Sequence, residues 1–242
     1  MSKFKKPLHI KVSSEDLGED VLVAGDPDRV KYLSELLREA RLVNTYRGYL
    51  IYTGFYRDKK ISLASHGIGG ASSAILFEEL AMLGVKRIIR LGTTGAIRED
   101  IDIGDVIVAE GASYHIGGTI GMYTGSDLAF SATPDLELTY KIYEELRKRI
   151  NRVHRGIVFS SDAFYAESRE VIDRMRRLNI LSLEMECATL STIGRLRSIR
   201  TACVLVVSDN LIKEKTVLDA LQVLVDRFRE VAQVILDVLS RE

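Results

Sequence analysis

The sequence predicts an α/β fold: a single domain in which helices flank a central mixed β-sheet. Along the whole chain, short apolar runs typical of buried strands alternate with longer amphipathic patterns typical of helices. No linker rich in Pro, Gly or Ser and no internal repeat interrupts this alternation. An apolar content of 46% in 242 residues is enough for one full core. We therefore expect residues 1–242 to form one domain.

Eight segments have the composition of strands. The first is a buried run that ends at a Gly-Asp-Pro turn, and the next two form a predicted hairpin joined by Arg57, Asp58 and Lys59. The predicted strands are residues 21–24, 49–56, 60–65, 86–91, 106–109, 156–159, 181–185 and 203–207.

The segments between these strands have helical periodicity. One helix is expected after Gly70, with apolar positions at Ile75, Leu76, Leu80 and Leu83. The other predicted helices are residues 29–37, 136–149, 170–178, 187–196 and, with a long apolar stripe, about 217–239.

Composition excludes several classes of partner. The 34 basic and 34 acidic residues balance, so neither a nucleic-acid-binding surface nor a polybasic membrane patch is indicated. No apolar run approaches the roughly 20 residues that span a bilayer. The expectation from these features is a cytoplasmic protein that binds neither nucleic acid nor membrane.

Cysteines and histidines give no metal pattern. Cys187 and Cys203 lie in apolar surroundings, without a Cys or His at zinc-like spacing, and the four histidines are scattered. We expect two buried thiols, although a disulfide between them stays open at this stage.

Arg90 is the most informative single residue. It lies between Ile89 and Leu91 in an apolar run, and a buried guanidinium requires a counter-charge. The residues Gly92-Thr93-Thr94-Gly95 that follow are expected to form a glycine-rich turn with open N–H groups, which suits an oxyanion. The alternative is a salt bridge to a neighbouring Asp or Glu.

Polar residues also concentrate at other strand ends, where ligands of open α/β sheets collect. Each of these segments is ordinary when taken alone, since Gly-Asp-Pro and Ser-Asp-Asn are common turn sequences. The segments are Gly25-Asp26-Pro27-Asp28-Arg29, Glu184-Met185-Glu186 and Ser208-Asp209-Asn210. Together they would place cations and carboxylates at one sheet edge, which suggests a phosphate and a sugar bound side by side.

Two common nucleotide motifs are disfavoured. Residues 67–72 resemble a dinucleotide-binding fingerprint, but Ser72 occupies the third glycine position and no ribose-binding acid follows at the usual distance. No glycine turn ends in Gly-Lys-Ser or Gly-Lys-Thr, so a phosphate loop for nucleoside triphosphates is not indicated.

The order of seven motifs along the chain resembles that of one known family of enzymes. They are Gly25-Asp26-Pro27-x-Arg29, Arg47-Gly48, His66-Gly67-Ile68-Gly69, Arg90-x-Gly92-Thr93-x-Gly95, Phe159-Ser160-Ser161-Asp162-x-Phe164-Tyr165, Glu184-Met185-Glu186 and Ser208-Asp209. This order is similar to that of the hexameric purine nucleoside and uridine phosphorylases, over nearly the whole chain. Within that family the sequence most resembles archaeal 5′-methylthioadenosine phosphorylases of broad purine specificity, through Thr93-Thr94-Gly95-Ala96, Gly111-Ala112-Ser113-Tyr114 and residues 159–167.

The resemblance implies a role for each matched residue. Phosphate would be bound by Gly25, Arg29, Arg90 and Thr93, with Arg47 supplied by a neighbouring subunit. Ribose would be bound by Glu184, Met185 and Glu186, with His9 of a neighbour near its 5′ end. The base would lie against Thr94, Gly95, Ser161 and Phe164, and Asp209, supported by Ser208, would meet purine N7.

The resemblance also implies the reaction, carried out by a single nucleoside phosphorylase domain over residues 1–242. Orthophosphate would act as co-substrate in phosphorolysis of the N-glycosidic bond of purine nucleosides, with Asp209, Glu186 and Arg90 as catalytic residues and with neither a metal nor an organic cofactor. The implied assembly is a homohexamer, a trimer of dimers, in which His9 and Arg47 cross a subunit interface.

One departure from the family bears on the protonation of the base. Bacterial members have an arginine downstream of the Asp209 position, and this chain has no matching arginine. Either Lys213 or Lys215 substitutes for it, or Asp209 acts alone, as the resemblance to the archaeal relatives implies.

Three competing functions stay open. The first is a uridine phosphorylase. It is less favoured, because the Gln and Arg that pyrimidine-specific members of the family carry are not found near Phe164. A phosphate-independent nucleosidase of the same fold would lack the arginine set. A non-catalytic nucleoside-binding protein would not need Asp209 and Glu186.

Overall fold

The computed structural model describes residues 6–125, 127–213 and 221–242, and in the last range the side chains from residue 223 onward. A nine-stranded mixed sheet runs through this part of the chain in the order β2-β3-β4-β1-β5-β8-β7-β6-β9. Its strands are β1 (Asp20–Ala24), β2 (Arg38–Asn44), β3 (Ile51–Tyr56), β4 (Lys59–Ser65), β5 (Arg87–Ala96), β6 (Val106–Tyr114), β7 (Val153–Ser160), β8 (Ser182–Glu184) and β9 (Arg200–Asn210).

The second half of the sheet closes on itself. Strand β5 pairs with β8 and also, over its whole length, with β9, so that β5, β8, β7, β6 and β9 form a closed ring of strands. Strands β4, β1, β5 and β9 are parallel, and their carboxyl ends therefore lie at one edge of the sheet. This is the edge at which ligands of α/β sheets are expected.

Helices cover both faces of the sheet. They are α1 (Pro27–Ser34), α2 (Gly70–Met82), α3 (Gly118–Thr124), α4 (Leu136–Arg147), α5 (Arg169–Arg177), α6 (Cys187–Arg197) and α7 (Leu221–Leu239). One core cluster contains Phe77 of α2 and Leu190 of α6, and a second contains Ile142 of α4 and Phe228 of α7. The predicted fold class, a single α/β domain with helices around a mixed sheet, is confirmed.

Two elements of the structure were not predicted. Strand β2 lies at the sheet edge and five of its seven residues are exposed, among them Arg38, Glu39 and Arg41, so it lacks the buried apolar pattern that identifies a strand. Helix α3 contains Gly118 and Gly121, and glycine has low helix propensity.

The first predicted helix ends at Ser34 rather than at residue 37, because the chain turns there towards β2. The predicted start of the last helix, residues 217–220, lies outside the described residues.

The prediction of a glycine-rich turn after Arg90 is wrong. Gly92 to Gly95 continue strand β5, because β9 on one side and the end of β8 on the other supply ladder partners for this segment. Arg90 consequently lies in the body of a strand, opposite Val23 of β1 and Cys203 of β9, rather than at a strand end.

The two cysteines are free and buried, as expected. Burial raises the pKa of the Cys187 thiol, which is hydrogen-bonded to Cys203. In the part of the chain that the structure describes, no helix is both long and apolar enough to cross a membrane.

Candidate functional site

A cavity of about 890 Å³ lies beyond the carboxyl ends of the parallel strands. Twelve of the residues singled out from the sequence line it, although they come from distant parts of the chain. They are Gly25, Arg29, Arg90, Thr93, Thr94, Gly95, Phe164, Glu184, Met185, Glu186, Ser208 and Asp209. Three other predicted site residues, His9, Arg47 and Ser161, are not in its lining.

Arg90 is buried at the floor of the cavity and is paired with carboxylates. Its Nη2 donates to Glu186 Oε2 and lies 3.5 Å from Glu184 Oε2. Its Nε and Nη1 have no hydrogen-bond partner among the described residues. Burial disfavours the charged guanidinium, but the charge of Glu186, together with smaller contributions that include Glu184, outweighs this effect and raises the pKa of Arg90 above its usual value. The salt bridge considered from the sequence is therefore present, and two buried nitrogens of the guanidinium have no partner among the described residues.

Gly92 makes room for this guanidinium. A Cβ atom at position 92 would overlap Nη1 and Cζ of Arg90. The glycine two residues after Arg90 therefore allows the side chain to fold back over its own strand, between the sheet and the cavity.

Arg29 supplies a second cation at the same end of the cavity. It lies in the first turn of α1, which begins with Pro27 and is capped by Asp26, whose side chain accepts a hydrogen bond from the Asp28 N–H. Its guanidinium carbon is 3.8 Å from the ring centroid of Phe228 in α7. Burial lowers the pKa of Arg29 to about 10, against the opposing charge of Asp26, so it stays cationic at neutral pH.

Glu186 lies between the cationic end and the rest of the cavity. Its Oε1 accepts a hydrogen bond of 2.6 Å from the Gly69 N–H, and its Oε2 accepts from Arg90. Burial opposes ionisation, but the charge of Arg90 and the hydrogen bonds from the Gly69 N–H and from Arg90 lower the pKa of Glu186 below its usual value. The half-buried Met185 beside it adds an apolar wall. A carboxylate held in this way can accept hydrogen bonds from hydroxyl groups.

Glu184 has internal partners in place of the predicted ribose contact. Its carboxylate has no exposed surface, and it accepts hydrogen bonds from the Ser160 hydroxyl and from the N–H groups of Glu186 and Cys187, at 2.8 and 2.9 Å for the latter two. The residue borders the cavity, but its carboxylate is turned into the protein.

The opposite end of the cavity contains Asp209. Its Oδ1 accepts a hydrogen bond of 2.6 Å from the Ser208 hydroxyl. Burial raises the pKa of Asp209 above its usual value, and the Ser208 hydrogen bond only partly offsets this effect. A Cβ atom at Gly95 would lie 2.8 Å from Asp209 Oδ2, so the small residue at position 95 leaves space for the carboxyl group. A carboxyl group with a raised pKa is suited to donating a proton.

Two aromatic side chains and a second acid border the same end. Phe164 and Tyr165 lie in a 3₁₀ turn and are largely exposed, with their rings edge to face at 5.2 Å. Glu167 follows this turn and lines the cavity. Burial and then the charge of Asp209 raise its pKa, against a hydrogen bond with Ser161. Sequence reasoning missed Glu167, although it ends the stretch that resembles the archaeal enzymes.

Thr94 and Ser161 make hydrogen bonds to strand β8 at this end of the cavity. The Thr94 hydroxyl donates to the Leu183 carbonyl at 2.7 Å, and the Ser161 N–H donates to the Glu184 carbonyl at 2.7 Å. These bonds join β5 and β7 to β8. Their predicted contacts with a base remain predictions.

His66, the first residue of the His-Gly-Ile-Gly motif, is fully buried beneath the cationic end. Its Nδ1 bonds to the Gly67 carbonyl at 2.8 Å, which assigns the proton to Nδ1, and Nε2 has no partner among the described residues. Burial lowers the pKa of His66 to about 4, so the ring is neutral at pH 7. The ring therefore supports the turn that presents the Gly69 N–H to Glu186 without adding charge.

His9 and Arg47 lie away from this cavity. His9 Nδ1 is 2.7 Å from Glu79 Oε1, beside a second cavity of about 390 Å³. Arg47 is exposed, with a positive φ of 55°. Their predicted action across a subunit interface stays a prediction.

As far as the structure describes them, the possible substitutes for the missing downstream arginine make no ion pair with Asp209. Lys213 Nζ lies 2.5 Å from Asp102 Oδ1, and Lys215 is outside the described residues. Among residues 6–125, 127–213 and 221–242, no group of three or more His, Cys, Asp or Glu side chains could hold a metal ion.

One cavity thus joins a cationic end, a buried carboxylate and an aromatic end with an acid whose pKa is raised, on an α/β sheet. This combination defines the site of a nucleoside phosphorylase, which must bind an oxyanion, a sugar and a base together. The family model described as "Phosphorylase superfamily" matches residues 19–240. The chain belongs to this family, as its motif order predicted.

Known proteins similar to the chain include enzymes of both substrate classes. It is 38% identical over 215 residues to a uridine phosphorylase of Thermococcus kodakarensis, covering 84% of this chain and 76% of the relative. It is 34% identical over 205 residues to a DeoD-type purine nucleoside phosphorylase of Buchnera aphidicola, covering 84% and 87%. The crystal structure of a uridine phosphorylase from Vibrio fischeri superposes with a TM-score of 0.90 at 30% identity, covering 98% and 97%.

Proposed function

We propose that the protein cleaves purine nucleosides by phosphorolysis, giving the free base and ribose 1-phosphate. The candidate nucleosides are adenosine, inosine, guanosine and 5′-methylthioadenosine, the last giving 5-methylthioribose 1-phosphate. The observation that carries the proposal is that Asp209, whose pKa is raised, lines the same cavity as Arg29 and Arg90, with Asp209 opposite Gly95 and therefore farther along the β5–β9 pair than Arg90. In this arrangement the leaving base and the incoming phosphate can be stabilised at the same time.

The two arginines support phosphate as the nucleophile. Orthophosphate carries about −1.5 to −2 charge near neutral pH, by analogy with phosphate esters. Arg29 stays cationic despite burial, and Arg90 has two unpartnered nitrogens among the described residues. A phosphate-independent nucleosidase would have no use for this pair of cations.

In the proposed reaction a phosphate oxygen attacks C1′ as the C1′–N9 bond breaks. The bonding electrons leave with the base, and Asp209 donates its proton to N7, so that the base departs neutral. Glu186 accepts hydrogen bonds from the 2′ and 3′ hydroxyls and stabilises the positive charge that develops on the sugar. No cofactor enters this scheme, and orthophosphate is the co-substrate.

Asp209 favours a purine over a pyrimidine at the base end, and Glu167 is compatible with either. A carboxylate can accept hydrogen bonds from the ring N–H and amino groups of a purine, and Asp209 has a partner in N7, an atom that uracil lacks. Uridine phosphorolysis is the second candidate, because two of the similar proteins are named uridine phosphorylases. Uracil N3–H could also donate to Glu167, so the substrate class requires a direct test.

The proposed assembly is a homohexamer in which His9 and Arg47 of one subunit act in the site of another. Support comes from the position of both side chains outside their own cavity. A fully active monomer would contradict this part of the proposal.

The test is a panel of adenosine, inosine, guanosine, 5′-methylthioadenosine and uridine, each with and without orthophosphate, with release of the free base measured. We expect phosphate-dependent turnover that is faster for at least one purine than for uridine. Equal rates without phosphate would refute phosphorolysis, and faster turnover of uridine than of every purine would refute the substrate class. Asp209→Asn should turn over about 10²- to 10⁴-fold more slowly, the usual contribution of a general acid, while still binding nucleoside. Unchanged turnover in Asp209→Asn would favour a different acid.

A further inference from the structure

The Glu184 carboxylate is fully enclosed by groups of its own chain. Ser160 Oγ–H donates to Oε1, and the N–H groups of Glu186 and Cys187 donate to Oε2. Arg90 Nη2 lies 3.5 Å from the same Oε2. With no exposed surface and with these partners, the carboxylate is satisfied without any contact to a ligand.

Two of these partners are N–H groups at the start of helix α6, where the backbone offers them no acceptor within the helix. Glu186 is the N-cap residue of this helix, yet its side chain makes no capping hydrogen bond. The Glu184 carboxylate accepts hydrogen bonds from the N–H groups of Glu186 and Cys187. Ser160 Oγ accepts one from the N–H of Ala188 at 2.9 Å. A negative charge here also complements the positive end of the helix dipole. Since the capping is done from outside, the side chain of Glu186 is free to point towards Arg90 and the cavity.

Arg90 therefore has two carboxylate neighbours of different kinds. Glu186 borders the cavity and is the acceptor proposed for ribose hydroxyls, whereas Glu184 is enclosed. If Glu186 were the only counter-charge, each shift of Glu186 towards the sugar would leave a buried guanidinium less compensated. Glu184 remains in place whichever partner Glu186 takes.

We propose that Glu184 is a positioning residue for the reaction, and not a ribose ligand. Its charge stabilises Arg90, and its hydrogen bonds fix the backbone of Glu186, so that Glu186 can exchange Arg90 for the ribose hydroxyls while Arg90 binds phosphate. This inference rests on the proposed function. It predicts that loss of the Glu184 charge tightens the hold of Arg90 on Glu186, and therefore impairs nucleoside binding more than phosphate binding.

The test is Glu184→Gln, which keeps the size of the side chain and a carbonyl oxygen for the two N–H groups, while the Ser160 hydroxyl can rotate to accept from the new amide. We expect a folded protein whose KM for nucleoside at saturating phosphate rises about tenfold, with a change of less than about threefold in KM for phosphate. Glu184→Asp, which retains the charge, should restore most of the nucleoside affinity. Ser160→Ala is the matched control, because it removes a capping hydroxyl and leaves the charge, and it should lower Tm with a smaller effect on the nucleoside KM.

An unchanged nucleoside KM in Glu184→Gln, or equal increases in both KM values with no rescue by Glu184→Asp, would overturn the proposal. If Glu184→Gln does not fold, the structure of the parent protein with phosphate and nucleoside decides. Ribose hydroxyls bonded to Glu186, with Glu184 still on Ser160 and the start of α6, would support the inference, whereas a Glu184 oxygen bonded to a ribose hydroxyl would overturn it. A parent protein without phosphorolytic activity would instead refute the proposed function.

Discussion

Replacing Arg90 by alanine should impair phosphate use and lower stability together. The guanidinium is buried and donates to Glu186, with Glu184 3.5 Å away. Removing one partner of a buried ion pair leaves an uncompensated charge and costs about 3–5 kcal/mol. For a chain of this size, about 2–4 °C of Tm is lost per kcal/mol, so Arg90→Ala should melt roughly 6–20 °C below the parent.

The effect on phosphate follows from the two nitrogens of Arg90 that have no partner in the described part of the chain. A hydrogen bond to a charged group contributes about 1.5–3 kcal/mol, so losing even one of them raises KM for phosphate about 10- to 150-fold. The sequence alone predicts that loss of Arg90 affects phosphorolysis more than folding. The pairing with Glu186 adds the stability cost to that prediction.

The assay combines thermal unfolding at several phosphate concentrations with steady-state phosphorolysis. Phosphate should raise Tm of the parent in a concentration-dependent way, and this increase should be reduced in Arg90→Ala. Arg29→Ala is the control, because Arg29 is half-buried against Phe228 and forms no ion pair with a carboxylate in the part of the chain that the structure describes. It should raise KM for phosphate with a smaller loss of Tm. Parental Tm and parental phosphate KM in Arg90→Ala would refute this account of the site.

Three further outcomes are expected. Gly92→Ala should displace the Arg90 guanidinium and reduce activity sharply, whereas alanine at Gly121, where a Cβ meets no atom within 4 Å, should leave activity unchanged; equal activities would contradict the packing argument. Because burial raises the pKa of Asp209, its protonated form is lost as pH rises through that value, so the parent should lose turnover on the alkaline side of its profile and Asp209→Asn should lack that pH dependence. Burial opposes ionisation of Asp105, but hydrogen bonds from His154 and Arg152 outweigh it and lower the pKa of Asp105 from 3.8 to about 2. Allowing for solvent screening, this contributes about 1–2 kcal/mol of stability above pH 4. Urea unfolding should therefore show Asp105→Asn less stable than the parent at pH 7, with a difference that shrinks between about pH 4 and pH 2.

The part of the fold that the sequence predicts is the part with a repeated apolar pattern. The strand before Gly25 and the hairpin of β3 and β4 are recognisable because their side chains are buried periodically. Strand β2 is not recognisable, because an exposed edge strand with charged residues at Arg38, Glu39 and Arg41 has the composition of a loop. The extension of β5 through Gly92 and Gly95 is not predicted from the sequence for a different reason. Glycine normally signals a turn, whereas here it leaves room for the side chains of Arg90 and Asp209.

For the site, residue types and their order along the chain predict which residues meet, but not which way each side chain faces. Glu184 and Glu186 are two positions apart at the end of β8 and look equivalent in the sequence. In the structure, one carboxylate caps helix α6 and the other borders the cavity. That difference depends on Ser160 and Arg90, which reach this turn from β7 and β5 and cannot be inferred from local spacing.

Arg90 shows why its two sequence interpretations need not exclude each other. If phosphate were the sole counter-charge of a buried arginine, the phosphate-free protein would contain an uncompensated buried charge. The free energy of folding, which is small, could not easily offset the cost of that charge. A salt bridge to Glu186 and Glu184 removes that cost, while Nε and Nη1 still lack a partner among the described residues. Since Glu186 is also the proposed acceptor for ribose, the ion pair connects the phosphate end of the cavity to the sugar. It follows that phosphate and nucleoside should each bind more tightly when the other is present, because each relieves the competition for the same pair of side chains.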